Sequence, residues 1–303
     1  MRFFLKNLYD LVRWSKRLFI NLWEETIIIK RFFLYEIKPG KMRKYAYLRA
    51  CCHVIDKGLE ADNWEPGHGS FIYNTAIKLR KDLAGEYTED RAYLWINSVI
   101  SEYEKAQNEK RVVKGERVKS SNDIIFSTEE LLTFNKILKA RTSCRNYIDK
   151  KIDIKVLVSL VESAIEAPVG CCRQTVRFFI TQNKQDIDFI SKHVSGMTCF
   201  SNIPCIAVVY VHSASYVMED RRMQYVDASL AIENFVLAAT ANNLASTICN
   251  FTSSSTKDKK AVAEKLGASH ELSPVVVISV GYPARIPRKP LRMDLTEFYN
   301  YRE

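Results

Sequence analysis

The segments Ala140-Arg-Thr-Ser-Cys-Arg-Asn-Tyr147 and Ala167-Pro-Val-Gly-Cys-Cys-Arg-Gln174 bracket one amphipathic stretch, and the rest of the chain is read outward from them. Arg141, Ser143 and Arg145 recur at alternate positions. In an extended segment their side chains share one side, where two guanidiniums and a hydroxyl can clamp a phosphate. After Asp153, an N-cap residue, Ile154, Leu157, Val158, Val161 and Ile165 fall at helical spacing and predict one buried apolar face ending at Ala167-Pro168. Pro168-Val169-Gly170 predicts a tight turn whose backbone amides can approach a flat ligand, and Gln174 opens a strand over 175–181.

On its own a charge cluster such as Arg141-x-Ser143-x-Arg145 is usually a solvated face. The two segments together, in this order, resemble the nitroreductase family of flavin enzymes. Its members carry an R-x-S-x-R phosphate clamp followed by an A-P-S-x-x-N-x-Q-P-W loop, or C-N-R-Q in one branch. Here the clamp is complete, and the loop keeps Ala167, Pro168, Cys171, Arg173 and Gln174. Val169 replaces a serine, Cys172 an asparagine and Thr175-Val176 the Pro-Trp pair.

Composition fits an ordinary globular protein: 303 residues, 47% hydrophobic and 26% charged. The net charge of +10 is unevenly placed, because residues 1–50 hold 12 Lys and Arg against 4 Asp and Glu, leaving 33 against 31 elsewhere. Eight cysteines without C-x-x-C or framework spacing, and no resemblance to a cleavable signal peptide, are read as reduced and cytoplasmic. Cys51, Cys52, His53 and His68 are read as small core residues and their neighbours rather than a metal site.

Residues 1–35 predict a basic amphipathic helix with Trp14 and Trp23 beside its apolar stripe. No apolar run reaches the roughly 20 residues of a membrane span. Packing on the protein itself, peripheral contact with an anionic membrane and, least favoured, single-stranded nucleic acid all fit such a helix. No recognition motif for nucleic acid accompanies it. Helices at 42–57, 70–84 and 88–105 complete a small all-helical domain over 1–107, and a charged linker covers 108–126.

The second domain, 127–303, opens with capping-box character at Ser127-Thr-Glu-Glu130, before a helix over 129–139. A helix over 186–193, a buried strand over 203–211, a broadly apolar helix over 225–244, a charged helix over 256–266 ended by Gly267, and a central strand over 273–281 follow. Asn243 stands where a left-handed helix cap is needed.

The resemblance implies an α+β FMN-binding fold for 127–293, a homodimer, and flavin contacts from Arg141, Thr142, Ser143, Arg145, Pro168, Val169, Gly170, Cys172, Gln174, Cys249, Asn250 and Arg288. It places Asp227, Asn234, Leu237 and Ala239 in a dimer-core helix and makes Arg288-Lys-Pro-Leu291 the source of a third phosphate cation, Arg288 preferred over Arg285. Cys249 reads as a small residue packed on a ring rather than a redox thiol. No catalytic side chain is expected, since a flavin carries its own hydride chemistry. The function expected is transfer of electrons from NAD(P)H through FMN to a small organic acceptor by a ping-pong mechanism. The second reading, motivated by Val169, Cys172 and Val176, is a degenerate flavoprotein whose N-terminal domain binds a membrane or a partner.

Overall fold

In this computed structural model the described residues are 37–112 and 125–302, with isolated positions between 12 and 34. The helix expected at 1–35 and most of the linker expected at 108–126 lie outside them, those isolated positions aside. The chain divides into two compact units, one uniting the N-terminal residues with 168–175 and 212–227, the other formed by 121–167, 176–211 and 228–303.

The first unit is built on α1 (Lys41–Glu60), α2 (Ser70–Asp82) and α3 (Arg91–Glu109). Two of these helices have a clear local start signal. Gly69 adopts φ 74° ahead of α2, a conformation that glycine takes without a Cβ penalty. The Asp90 carboxylate accepts from the N–H of Ala92 and caps α3. One stripe of each helix faces inward, so that Leu48, Cys52, Leu59, Ala76, Ile96 and Ile100 form a common core. Burying each large aliphatic side chain there contributes about 1.5–3 kcal/mol. Tyr45 stacks on Tyr87 at 4.0 Å and Tyr73 on Tyr103 at 4.7 Å.

The second unit contains α4 (Thr128–Ala140), α5 (Ile154–Ile165), β1 (Val176–Thr181), α6 (Lys184–His193), β2 (Cys205–Val211), most of α7 (Met223–Ala241), β3 (Ala245–Asn250), α8 (Thr256–Leu266) and β4 (Ser273–Gly281). The strands form one antiparallel sheet in the order β1-β2-β4-β3. The apolar run of β2 is buried at every position, as its central place requires. Cys205, Ala207, Val209 and Val211 alternate toward a core shared with Leu157, Leu160 and Ala164 of α5 and Ile232, Phe235 and Val236 of α7. Asn234 links these helices through the Ser163 carbonyl at 3.2 Å.

Most local signals act as expected. Ser127 and Glu130 form a reciprocal capping box on α4, and Asp153 caps α5 through the N–H of Lys155. Gly267 and Asn243 take left-handed conformations, φ 66° and 58°. One burial expectation is corrected. On α5, Leu157, Leu160 and Ala164 face the core, while Ile154 and Ile165 are 67% exposed and, with Val158, Val161 and Ile180, line an open apolar groove of about 440 Å³. α7 turns Ala231, Ile232, Phe235, Val236 and Ala239 to the core and leaves Val226 and Leu230 exposed on the single chain.

Candidate functional site

The clamp belongs to the sheet unit. Arg141 is the C-cap of α4, its N–H bonded to the Ile137 carbonyl, and the chain leaves it extended. Ser143 bridges Ser246 of β3, and the N–H of Cys144 donates to the Ser246 carbonyl at 3.2 Å. The Cys144 carbonyl then accepts from Tyr147 Oη and from Thr247 Oγ1, both at 2.6 Å. Cys144 and Tyr147 are each 1% exposed. These inward anchors leave Arg141, Thr142 and Ser143 half-buried and Arg145 exposed on the accessible side of the segment. The alternation read from the sequence is thus fixed by a buried cysteine and a buried tyrosine.

The electrostatics of the clamp are cationic. Lys289 has its pKa lowered by desolvation first and then by repulsion from Arg141 and Arg292, with Glu233 opposing. Its ammonium donates to the carbonyls of Leu138 and Lys139, the last turn of α4, at 3.3 and 3.1 Å. Lys289 thus reaches the end of α4 that leads into Arg141, while Arg288, the cation the resemblance points to, is exposed. The signal was present in Arg288-Lys-Pro-Leu291. Nothing in a linear sequence states which of two adjacent cations turns toward a helix end. Cations within electrostatic reach of one another suit a phosphate, which would relieve their repulsion.

Arg145 lies over the Phe200 ring at 5.8 Å and within electrostatic reach of Cys249. Burial pushes the Cys249 thiol up to about 11, with Cys199 adding and Arg145 opposing. A neutral, 7% exposed thiol suits a packing role. The Asn250 side-chain oxygen is engaged locally, accepting from the N–H and Oγ1 of Thr252 at 2.9 and 2.7 Å.

The loop residues lie in the helical unit. Gly170, Cys171 and Cys172 form a 3₁₀ turn, and the positive φ values fall on Cys171 (49°), Cys172 (55°) and Gln174 (51°), so Gly170 is not the residue supplying a left-handed conformation. Gly170 instead meets Asp227: its N–H donates to Oδ1 at 2.9 Å, and an added Cβ would lie 3.4 Å from that oxygen. Asp227 also accepts from Tyr216 Oη at 2.6 Å, and that oxygen pairs with Thr175 Oγ1 at 2.6 Å. The side chain of Gln174 donates to Cys172 Sγ at 3.7 Å, while Pro168 is exposed and Val169 half-buried. Among the described residues, no group of three or more His, Cys, Asp or Glu is arranged to hold a metal ion.

Residues 138–212 and 199–282 match the family model described as Nitroreductase family. A provisionally named NADH dehydrogenase/NAD(P)H nitroreductase from Bacteroides thetaiotaomicron is similar in structure, with 18% identity, 55% of this chain and 96% of that chain covered, and a TM-score of 0.50. An FMN-dependent nitroreductase from Clostridium difficile R20291 matches at 22% identity over 54% of this chain and 96% of its own, with a TM-score of 0.48. A nitroreductase family protein from Clostridium difficile 630 matches at 26% identity over 55% and 96%, with a TM-score of 0.47. With the family model matched across the clamp, β1, β2, β3 and β4, this chain carries a domain of the nitroreductase family.

Proposed function

We propose that the domain binds FMN and serves as an oxidoreductase, passing electrons from NAD(P)H to a small organic acceptor in two half-reactions that use one site in turn. The observation that carries this reading is the segment anchored on β3 that presents Arg141, Ser143 and Arg145, with Lys289 bound to the end of α4 that leads into it. A phosphate monoester is the ligand that such donors and charges suit. When bound, FMN supplies the hydride and electron chemistry, which leaves the protein to bind the phosphate, hold the ring and exclude water. Cys249, held protonated, would offer bulk and shape beside Arg145 rather than a thiolate.

We also propose a homodimer. Helix α4 buries none of its residues within the chain, and Leu131, Leu132, Phe134 and Leu138 are 56%, 64%, 53% and 37% exposed. A second copy would cover such a face. No described helix is long and apolar enough to cross a membrane, and the site we assign is cytoplasmic.

The test is the visible spectrum of the purified protein, before and after NADH or NADPH under anaerobic conditions. Bound flavin that bleaches is the expected result. A colourless protein that takes up no added FMN would overturn the proposal. An Arg141→Ala, Arg145→Ala variant with undiminished flavin would show that the phosphate sits elsewhere.

A further inference from the structure

The loop at 170–174 carries three non-glycine residues in left-handed conformations, which side chains with a Cβ disfavour. Strain of this kind persists only where the surroundings impose it. Two buried side chains do so here, one at each end of the turn. Asp227, 1% exposed, receives the N–H of Gly170 at the entry. At the exit, Arg49 of α1, 3% exposed, donates from Nη2 to the Arg173 carbonyl at 2.5 Å across 124 residues of sequence.

The placement of Arg49 is itself built. Its guanidinium stacks over the Tyr45 ring at 4.2 Å, and Tyr45 in turn stacks on Tyr87, so a planar group is held flat at one position along α1. Arg173 is fixed from its other end, through an ion pair with Asp220 at 3.1 Å and a stack over Tyr216 at 5.4 Å. A second guanidinium of α1, Arg43, donates to the Ala214 carbonyl at 2.8 Å, holding the 212–216 segment that supplies Tyr216. Cys172 lies within electrostatic reach of Cys52 on α1.

We infer that Arg49 is a positioning residue: through the Arg173 carbonyl it makes α1 the frame that holds the cysteine loop in its strained conformation. The N-terminal helices then set the shape of this loop. The consequence for cofactor binding rests on the FMN reading above, since the family resemblance assigns Gly170, Cys172 and Gln174 to the flavin; the conformational claim does not.

The experiment is cysteine labelling of the full-length protein with iodoacetamide, resolved by peptide mass spectrometry. Arg49→Met is expected to raise the labelling rate of the half-buried Cys172 about tenfold, the equivalent of one lost charge-assisted hydrogen bond. Cys51 and Cys52 should remain protected as internal reporters that α1 is folded, and Arg49→Lys, which keeps a cationic donor, should recover slow labelling. FMN affinity should weaken in parallel and recover with the lysine. Unchanged Cys172 labelling with Cys52 protected would overturn the inference. Hydrogen exchange of the unmodified protein decides the matter even where Arg49→Met fails to fold. The amides of Gly170, Cys172 and Arg173 should exchange within about tenfold of the α1 core, as members of one cooperative unit. Exchange about a thousandfold faster than α1 would show a loop that α1 does not hold. A protein that never binds FMN yet passes both tests would overturn the functional proposal and leave the role of Arg49 standing.

Discussion

A Cβ added to Gly281 would lie 2.4 Å from Cγ and 2.8 Å from Cδ of Pro204, with Tyr147 Cδ1 at 3.0 Å. Gly281 ends β4, and the next residue, Tyr282, accepts the N–H of Ile148 at 2.9 Å. A pyrrolidine ring cannot rotate out of the way, so the backbone must move. Gly281→Ala is therefore expected to cost about 1–3 kcal/mol, as overpacking does in a close-packed interior. Thermal unfolding measures this, and an unchanged midpoint would show that the strand end has room to spare. Because the same displacement would press on Tyr147, phosphate or FMN affinity should fall in the same variant.

Tyr147 and Thr247 both donate to the Cys144 carbonyl at 2.6 Å, and Tyr147 also meets Ser279 Oγ at 2.8 Å. Removing one donor leaves the carbonyl bonded, so Tyr147→Phe alone should cost about 1 kcal/mol. Tyr147→Phe with Thr247→Val strands a buried acceptor, and the double loss should exceed the sum of the single losses by about 1 kcal/mol. Denaturant titration of the four proteins closes the cycle. Strict additivity would mean that water or a shifted backbone satisfies the carbonyl once either side chain is gone.

The contrast between these anchors and the surface they present explains what the sequence could reveal. Periodicity and caps are local properties, so the helix boundaries near Ser127, Asp153, Asn243 and Gly267 were legible. So was the alternation of Arg141, Ser143 and Arg145. Burial is a property of partners, and the stripe of α5 is wider than the surface that the sheet covers. Leu160 and Ala164 consequently face inward while Ile154 does not. The left-handed Cys171, Cys172 and Gln174 contradict residue preference, because tertiary contacts from Arg49 and Asp227 override it. The contacts of Arg49 and Lys289 were illegible for one reason: each is made to a backbone carbonyl more than a hundred residues away, and a carbonyl leaves no mark in sequence.

Buried thiols make the fold sensitive to alkali. Burial raises Cys51 and Cys249 to about 11 and Cys52 and Cys205 to about 12, above the usual value of 9.0. The unfolded chain loses these protons first, so between pH 9.0 and 12 it binds fewer protons than the native state and stability falls as pH rises. The contribution is fully present below pH 9.0 and is lost through the folded values. Each thiol contributes up to about 1.4 kcal/mol per pH unit within its own window. Cys205→Ala, at a fully buried position of β2, should flatten the decline of the melting midpoint above pH 9.0. A midpoint equally steep in that variant would assign the alkaline loss to tyrosines such as Tyr45.

Lys289 and Arg288 are adjacent but differently placed, the first on the end of α4 and the second exposed. Lys289 binds the last carbonyls of α4, where a cation is favoured by the helix dipole, and its pKa is lowered by desolvation first and then by repulsion from Arg141 and Arg292. An anion arriving there removes that repulsion, so its binding should favour the protonated ammonium and weaken as pH rises through the Lys289 pKa. Lys289→Met should cost about 0.5–1 kcal/mol of stability from the lost helix-end contact. It should also weaken binding of inorganic phosphate or FMN about tenfold at low salt, as the loss of one charged donor implies. Arg288→Met, at an exposed position, should leave stability unchanged and affinity within about twofold, since an exposed charge is screened. Isothermal titration at two salt concentrations distinguishes them. If Arg288→Met proves the more damaging, the exposed guanidinium closes over the phosphate on binding, and Lys289 serves the helix end alone.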